Sequence, residues 1–209
     1  MKIIKRILLL VLCFSMLSLS LASCGAKESE GELLAVAKEL TEQSVSVNEI
    51  VFGDGIAPKK DGYSVGSYTE ADEESLALYG VSSVEDIKAK LSAVYSEATA
   101  AWVVGTVLTS VKEQSQVLTY ARYYDDKKME GVNFVPVLMV RENHDQMAFG
   151  KASYTDYALK SSSRKEAVFT VDITVTDGKE TRVFSDVRIT MVKEKNGWRL
   201  DTTTYASLK

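Results

Sequence analysis

Cysteine, histidine and proline are nearly missing from this chain of 209 residues. Its 2 cysteines are Cys13 and Cys24, so residues 25–209 can form no disulfide, thiolate metal site or cysteine nucleophile. The 1 histidine, His144, sits in the polar, turn-like segment 141–145. One histidine without cysteine excludes the usual zinc sites. A Ser-His-acid triad would have to use His144, and no Gly-x-Ser-x-Gly elbow accompanies it, so it reads as a surface loop residue. Gly53-Asp54-Gly55 lacks the Lys-Ser/Thr tail and βαβ context of a phosphate loop. The acidic clusters Asp72-Glu73-Glu74 and Asp125-Asp126 lack the spacing of a calcium loop. These absences lead us to expect no metal and no cofactor. Paired carboxylates for glycoside chemistry cannot be assigned without distances.

Only one long apolar run is present, residues 7–21, and Ser15, Ser18 and Ser20 interrupt it. At 15 residues it is shorter than the roughly 20 that a spanning helix needs. It follows Lys2, Lys5 and Arg6 and ends in Leu21-Ala22-Ser23-Cys24. A basic start, an apolar middle and small residues before a cut describe a secretory signal peptide. The Leu-Ala-Ser-Cys ending resembles the lipobox of bacterial lipoproteins. That resemblance implies cleavage after residue 23, a diacylglyceryl group on Cys24 and an extracytoplasmic domain lipid-anchored to the bacterial cell membrane. Residues 1–23 are then the signal, 24–31 a lipidated tether, and 32–209 a single domain.

Removing Lys2, Lys5 and Arg6 leaves 22 basic against 29 acidic residues, a net charge of −7. Nucleic acid is disfavoured, because phosphate binding needs a basic face. Docking on anionic lipid by charge is disfavoured too, so the acyl chains must hold the membrane.

Residues Leu33, Ala37, Leu40, Ser44 and Val47 recur at steps of four and three, which predicts a helix from Glu32 that weakens near Ser44–Val47 and stops before Gly53. Residues 53–70 carry loop chemistry, with a turn at Asp61-Gly62 and a short edge strand through Tyr63, Val65 and Tyr68. Asp72-Glu73-Glu74 suits the first turn of a short helix. Ser82 with Glu85 reads as a capping box. Behind it Val84, Ile87, Leu91, Val94, Tyr95, Ala98 and Trp102 predict one helix ending near Gly105. Residues 116–124 read as a strand turning at Asp125-Asp126. Residues 134–141 read as a strand whose Pro136 demands an edge or a bulge. Ala167, Phe169, Val171, Ile173 and Val175 alternate with Val168, Thr170, Asp172 and Thr174. Asp177-Gly178 and Lys195-Asn196-Gly197 then separate this run from two more, 182–193 and 198–205, an antiparallel meander.

Helices first and a meander last imply an α+β fold, N-terminal helices packed on a curved antiparallel β-sheet. The segment 187–192 followed by Asn196-Gly197-Trp198-Arg199-Leu200-Asp201 resembles the end of the cystatin-like, NTF2-like (nuclear-transport-factor-2-like) superfamily. The resemblance implies a cone-shaped fold in which Trp198 is structural, closing the sheet against a helix. It implies no single chemistry.

All 10 tyrosines follow residue 24, several of them near expected loops and strand ends. Tyrosine offers a wide apolar ring with a polar tip, which suits peptide and carbohydrate surfaces. It also simply favours strands. The candidate ligand-binding residues are Tyr63, Tyr68, Trp102, Tyr120 and Tyr123. With no catalytic constellation visible, the chain reads as a non-enzymatic envelope lipoprotein. It would bind a protein, a peptide or a peptidoglycan-derived ligand, a wall hydrolase being one regulated partner. An isomerase- or dehydratase-type enzyme using a pocket carboxylate and tyrosine is the alternative, and a homodimer through the sheet a third possibility.

Overall fold

The computed structural model describes residues 28–113, 116–142, 151–176 and 180–204. The expected signal residues, Cys24, His144, the expected Asp177-Gly178 turn and Tyr205 lie outside them. The first helix, α1 (Glu30–Phe52), begins inside the expected tether. Ser29 caps it through a reciprocal box: the Glu32 N–H donates to Ser29 Oγ (3.3 Å) and the Ser29 N–H donates to Glu32 Oε2 (2.8 Å). Two orphan donors are satisfied at once, and the helix starts two residues ahead of the expected Glu32. That stripe, Leu33, Ala37, Leu40, Ser44 and Val47, is buried throughout. The helix does not weaken at Ser44, whose buried hydroxyl is satisfied within the helix by donating to the Thr41 carbonyl (2.7 Å). It stops at Gly53, as expected.

Helix α2 (Glu73–Tyr79) carries the expected acidic first turn, with Asp72 as its cap, and ends at Gly80 in the left-handed region (φ +59°). The predicted long helix is two helices, α3 (Val84–Val94) and α4 (Glu97–Val107). Ser83, not Ser82, caps α3 by accepting from the Asp86 N–H (3.2 Å), while the Asp86 carboxylate turns back onto the Ser82 N–H and hydroxyl. The break falls at Tyr95, whose backbone is extended and bridges Leu200; the Ser96 N–H donates to the Leu200 carbonyl (2.8 Å). Ser96 then caps α4 at Thr99. The break resets the helical phase. Ala100, Val103 and Val107 are buried, whereas Ala98 and Trp102 of the expected stripe face outward. Gly105 lies within α4, which runs one half-turn further.

Two four-stranded antiparallel sheets follow. The first has the order β1-β2-β6-β5, from β1 (Ser64–Val65), β2 (Tyr68–Glu70), β5 (Tyr123–Glu130) and β6 (Asn133–Arg141). The second, β10-β9-β8-β7, is the meander: β7 (Lys151–Ser162), β8 (Glu166–Thr176), β9 (Thr181–Glu194) and β10 (Gly197–Leu200). A small hairpin, β3 (Val111–Glu113) with β4 (Gln116–Thr119), precedes β5. Asp125-Asp126 makes no turn; it lies within β5 opposite Leu138 and Val137, and the chain turns instead at Gly131 (φ +61°). Pro136 obeys the edge rule locally, because β2 reaches β6 only at residues 139–141.

In β8 the expected positions Ala167, Phe169, Val171 and Ile173 are buried, and Val175 is partly so. The second sheet curls into a half-barrel, and its register shifts mark where it bends: Thr155/Ala158 in β7–β8 and Val171/Ile173 in β8–β9. Asp156 (φ +52°) and Asp186 (φ +54°) take the left-handed conformations that such bulges need. The Asp172 carboxylate pins one of them by accepting from the Asp186 N–H (2.9 Å) and the Ser185 hydroxyl (3.2 Å). Helix α1 packs against β7 and β10. Trp198 is buried, and its Nε1 donates to Glu28 (3.2 Å), which ties β10 to the entry of α1. The fold is thus α+β with helices on a curved antiparallel sheet. No helix among the described residues is long and apolar enough to cross a membrane.

Candidate functional site

Two polar assemblies occupy different places. The first lies between α1 and the curved sheet. Thr41, Ser44 and Asn48 recur at helical spacing and are fully buried. The Tyr95 hydroxyl donates to Asn48 Oδ1 (2.5 Å), Asn48 Nδ2 donates to Thr204 Oγ1 (2.9 Å), and the Tyr154 hydroxyl donates to the same Thr204 oxygen (2.9 Å). Thr41 and Tyr157 share a hydroxyl–hydroxyl bond of 2.5 Å. Burial pushes the Tyr95, Tyr154 and Tyr157 phenols up, so all three stay neutral donors. The network therefore satisfies its own members. The spacing of Thr41, Ser44 and Asn48 along the apolar stripe was the one signal that could have revealed it.

Among the described residues the buried charged side chains are Glu70 and Arg122. Burial pushes the Glu70 carboxyl up, but Lys128 (2.7 Å), the Tyr63 N–H (3.3 Å) and Lys59 (3.7 Å) outweigh this and hold it below the ordinary range. Arg122 Nη2 donates to the Gly53 (2.7 Å) and Asp54 (2.6 Å) carbonyls beyond the C-terminus of α1, where a cation suits the dipole. Its Nε and Nη1 find no partner among the described residues. Gly55 (φ +72°) passes so close that a Cβ there would stand 2.3 Å from both Arg122 Nη2 and the Tyr123 hydroxyl.

The second assembly lies on the first sheet, and three of the five expected ligand residues contribute to it. The Tyr68 hydroxyl donates to the Ala121 carbonyl (2.5 Å), and its ring meets Tyr124 edge-on at 4.7 Å. Tyr63 and Tyr120 are 37% and 42% exposed. Arg141, paired with Tyr68 across β6 and β2, lays its guanidinium 4.9 Å from the Tyr120 ring centre. Burial and the Asp126 carboxylate push the Tyr124 hydroxyl up to about 12. The other two expected residues lie elsewhere. Tyr123 is buried under α1, donating to the Ile50 carbonyl (2.7 Å) and accepting from the Ile56 N–H (3.1 Å). Trp102 sits on α4, and Phe52 is its one ring neighbour among the described residues. Reading composition alone missed Tyr124 and Arg141; the period-2 register of β6 against β2 and β5 is what brings them to the face of Tyr68.

Beyond this face the β5–β6 hairpin overhangs the core. Met129, Val132 and Phe134 at its tip are 66%, 94% and 65% exposed. A shallow cleft of about 530 Å³ opens beside the start of α4, lined by Ser96, Glu97, Glu194 and Asp201 among others. Its carboxylates already serve the helix end: Glu194 accepts from the Glu97 N–H (2.8 Å) and Asp201 from the Ser96 hydroxyl (2.5 Å). Among the described residues no three His, Cys, Asp or Glu side chains are grouped to hold a metal.

No family model matches the chain, and no curated protein matches it in sequence. Any functional reading therefore rests on the residues themselves.

Proposed function

We propose that this protein is a bacterial envelope lipoprotein. Its diacylglyceryl-bearing Cys24 holds an extracytoplasmic, NTF2-like or cystatin-like domain at the membrane, and the domain binds a protein, peptide or wall-derived ligand without chemistry of its own. The observation that carries the binding part is the aromatic face of the first sheet. There, half-exposed Tyr63 and Tyr120 accompany Tyr68, Tyr124 and Arg141, while the exposed Met129 and Phe134 of the hairpin tip lie on the opposite face of β5 and β6. Exposed aromatic groups gathered on one face are a general mark of interaction surfaces. The lipobox resemblance at Leu21–Cys24 supports the anchor, and the acidic net charge supports the need for one.

An isomerase- or dehydratase-type enzyme would require a protonated buried carboxyl beside a tyrosine in one concave site. Glu70 is the buried carboxylate among the described residues, and two lysines keep it ionised. The binding reading therefore stands ahead of the catalytic one. Two measurements test it. Cys24→Ser should leave the fold intact and release the protein from membranes. Retention with an uncut signal would make residues 7–21 an anchor helix and end the lipoprotein reading. The full-length protein should also retain envelope extract or peptidoglycan fragments in a pull-down, and the double variant Tyr63→Ser, Tyr120→Ser should not.

A further inference from the structure

We propose that Arg141 and Tyr120 form a receptor for the free carboxylate of a short peptide. The inference rests on the aromatic face being the ligand surface and deepens it by naming the group recognised. Arg141 is the last residue of β6, and its backbone N–H donates to the Arg122 carbonyl (3.0 Å), so the base of its side chain is fixed. Its guanidinium rests against the Tyr120 ring, and its Nε is buried without a hydrogen-bond partner among the described residues.

Three cations near this face are already engaged, and Lys127, opposite Pro136, lies on the other face of β5. Lys128 pairs with Glu70 and Glu130, Lys59 with Glu70 and Glu73, and Arg122 donates to two carbonyls. Arg141 makes no ion pair among the described residues. The neighbouring carboxylate, Glu142, is engaged by the Thr69 hydroxyl. A partly desolvated guanidinium without a counter-ion among the described residues is an arrangement that a ligand anion relieves. The planar fork favours a carboxylate, which accepts two parallel N–H bonds. Tyr120 already holds the fork by stacking, so little side-chain freedom remains to be lost on binding. Tyr63 offers a second half-exposed ring for the adjoining residue of the peptide. The net charge of −7 after residue 23 works against polyanions such as phosphate polymers and far less against a singly charged peptide end.

The test uses the full-length protein purified from membranes in detergent. It is titrated with N-terminally dansylated Ala-Tyr-Ala-Ala, once as the free acid and once as the C-terminal amide. The free acid should bind about tenfold more tightly, as expected for a charge-assisted bidentate contact. Arg141→Gln should abolish that preference. Arg141→Lys, which keeps the charge and the bulk but not the fork, should cut it to about threefold. Tyr120→Leu should weaken acid and amide alike. Equal binding of acid and amide, or a preference that survives Arg141→Gln, overturns the carboxylate receptor and leaves the peptide surface standing. Displacement by inorganic phosphate at concentrations where acetate is inert overturns it in favour of a phosphate ligand. Binding of neither peptide overturns it as well, and blank envelope pull-downs alongside would remove the binding surface too.

Discussion

The tyrosines of this molecule are used in opposite ways, most clearly when those around the second sheet are set against Tyr63 and Tyr120 beside the first. Around the second sheet Tyr95, Tyr154 and Tyr157 are turned inward, and each hydroxyl finds Asn48, Thr204 or Thr41. On the first sheet Tyr63 and Tyr120 stay more than one-third exposed, with Arg141 beside Tyr120. One set closes a core and the other leaves a surface. Tyrosine content by itself therefore says nothing about function; the partner of each hydroxyl does. The comparison can be broken first where its core half is strongest. Phe169 is fully buried in β8, and Phe169→Ala should cost about 3–5 kcal/mol in denaturant unfolding. A cost below about 1 kcal/mol would mean that the second sheet is not the packed half.

The hydroxyls provide the next contrast. Tyr95→Phe removes the donor to a fully buried Asn48 and strands its Oδ1, at a cost of about 1–3 kcal/mol. Tyr124→Phe removes only a 3.2 Å bond to Asp126 in a more open setting and should cost less than about 1 kcal/mol. Paired thermal unfolding curves read the difference directly. Equal costs would erase the distinction between a satisfied interior and a displayed face.

Acid provides a third contrast. The folded-state value of Glu70 lies below its unfolded value. Its contribution is therefore fully present above the ordinary glutamate value of about 4.3 and is lost as the pH falls through the lower folded value. Stability of the unmodified protein should decline over that acid window, and Glu70→Gln should be less stable at neutral pH but decline less steeply in acid. The tyrosine network of the second sheet carries no charge at any of these pH values, so Tyr95→Phe should keep the acid slope of the unmodified protein. Identical slopes for the Glu70 variant would show that Lys128 and Lys59 do not stabilise the ionised form.

The second sheet was also the more legible half in the sequence. Its period-2 runs in β8 and β9 and its Asn196-Gly197 turn are local signals, as is the stripe of α1. Strand β7 gave no such reading, because the bulge at Asp156 separates Ala152 and Tyr154 from Tyr157 and Leu159 and so breaks the alternation. The division of α3 from α4 was hidden for another reason. Tyr95 fits a helical stripe, and only its pairing with Leu200, more than a hundred positions away, pulls it out of the helix. On the first sheet the Asp125-Asp126 pair looked like a turn, yet tertiary pairing overrode that preference and placed the turn at Gly131. The candidate face suffered most. Tyr63, Tyr68 and Tyr120 were visible as residues, but Arg141 joins them only through the register of β6 with β2.

The smallest expected effect is the sharpest probe of the displayed half. Phe134 pairs with Met129 across the hairpin, and both side chains are about two-thirds exposed. In a strand that belonged to the core, Phe→Thr would cost several kcal/mol, on the scale set by Phe169. At this tip Phe134→Thr should shift stability by no more than about 0.5 kcal/mol, since surface substitutions away from buried features do little. The same change removes one of the three exposed apolar side chains at the tip, so retention of envelope extract should fall even though unfolding does not move. Loss of stability together with unchanged retention would reverse the assignment, making the hairpin part of the packed structure and leaving the tyrosine–arginine face to account for binding alone.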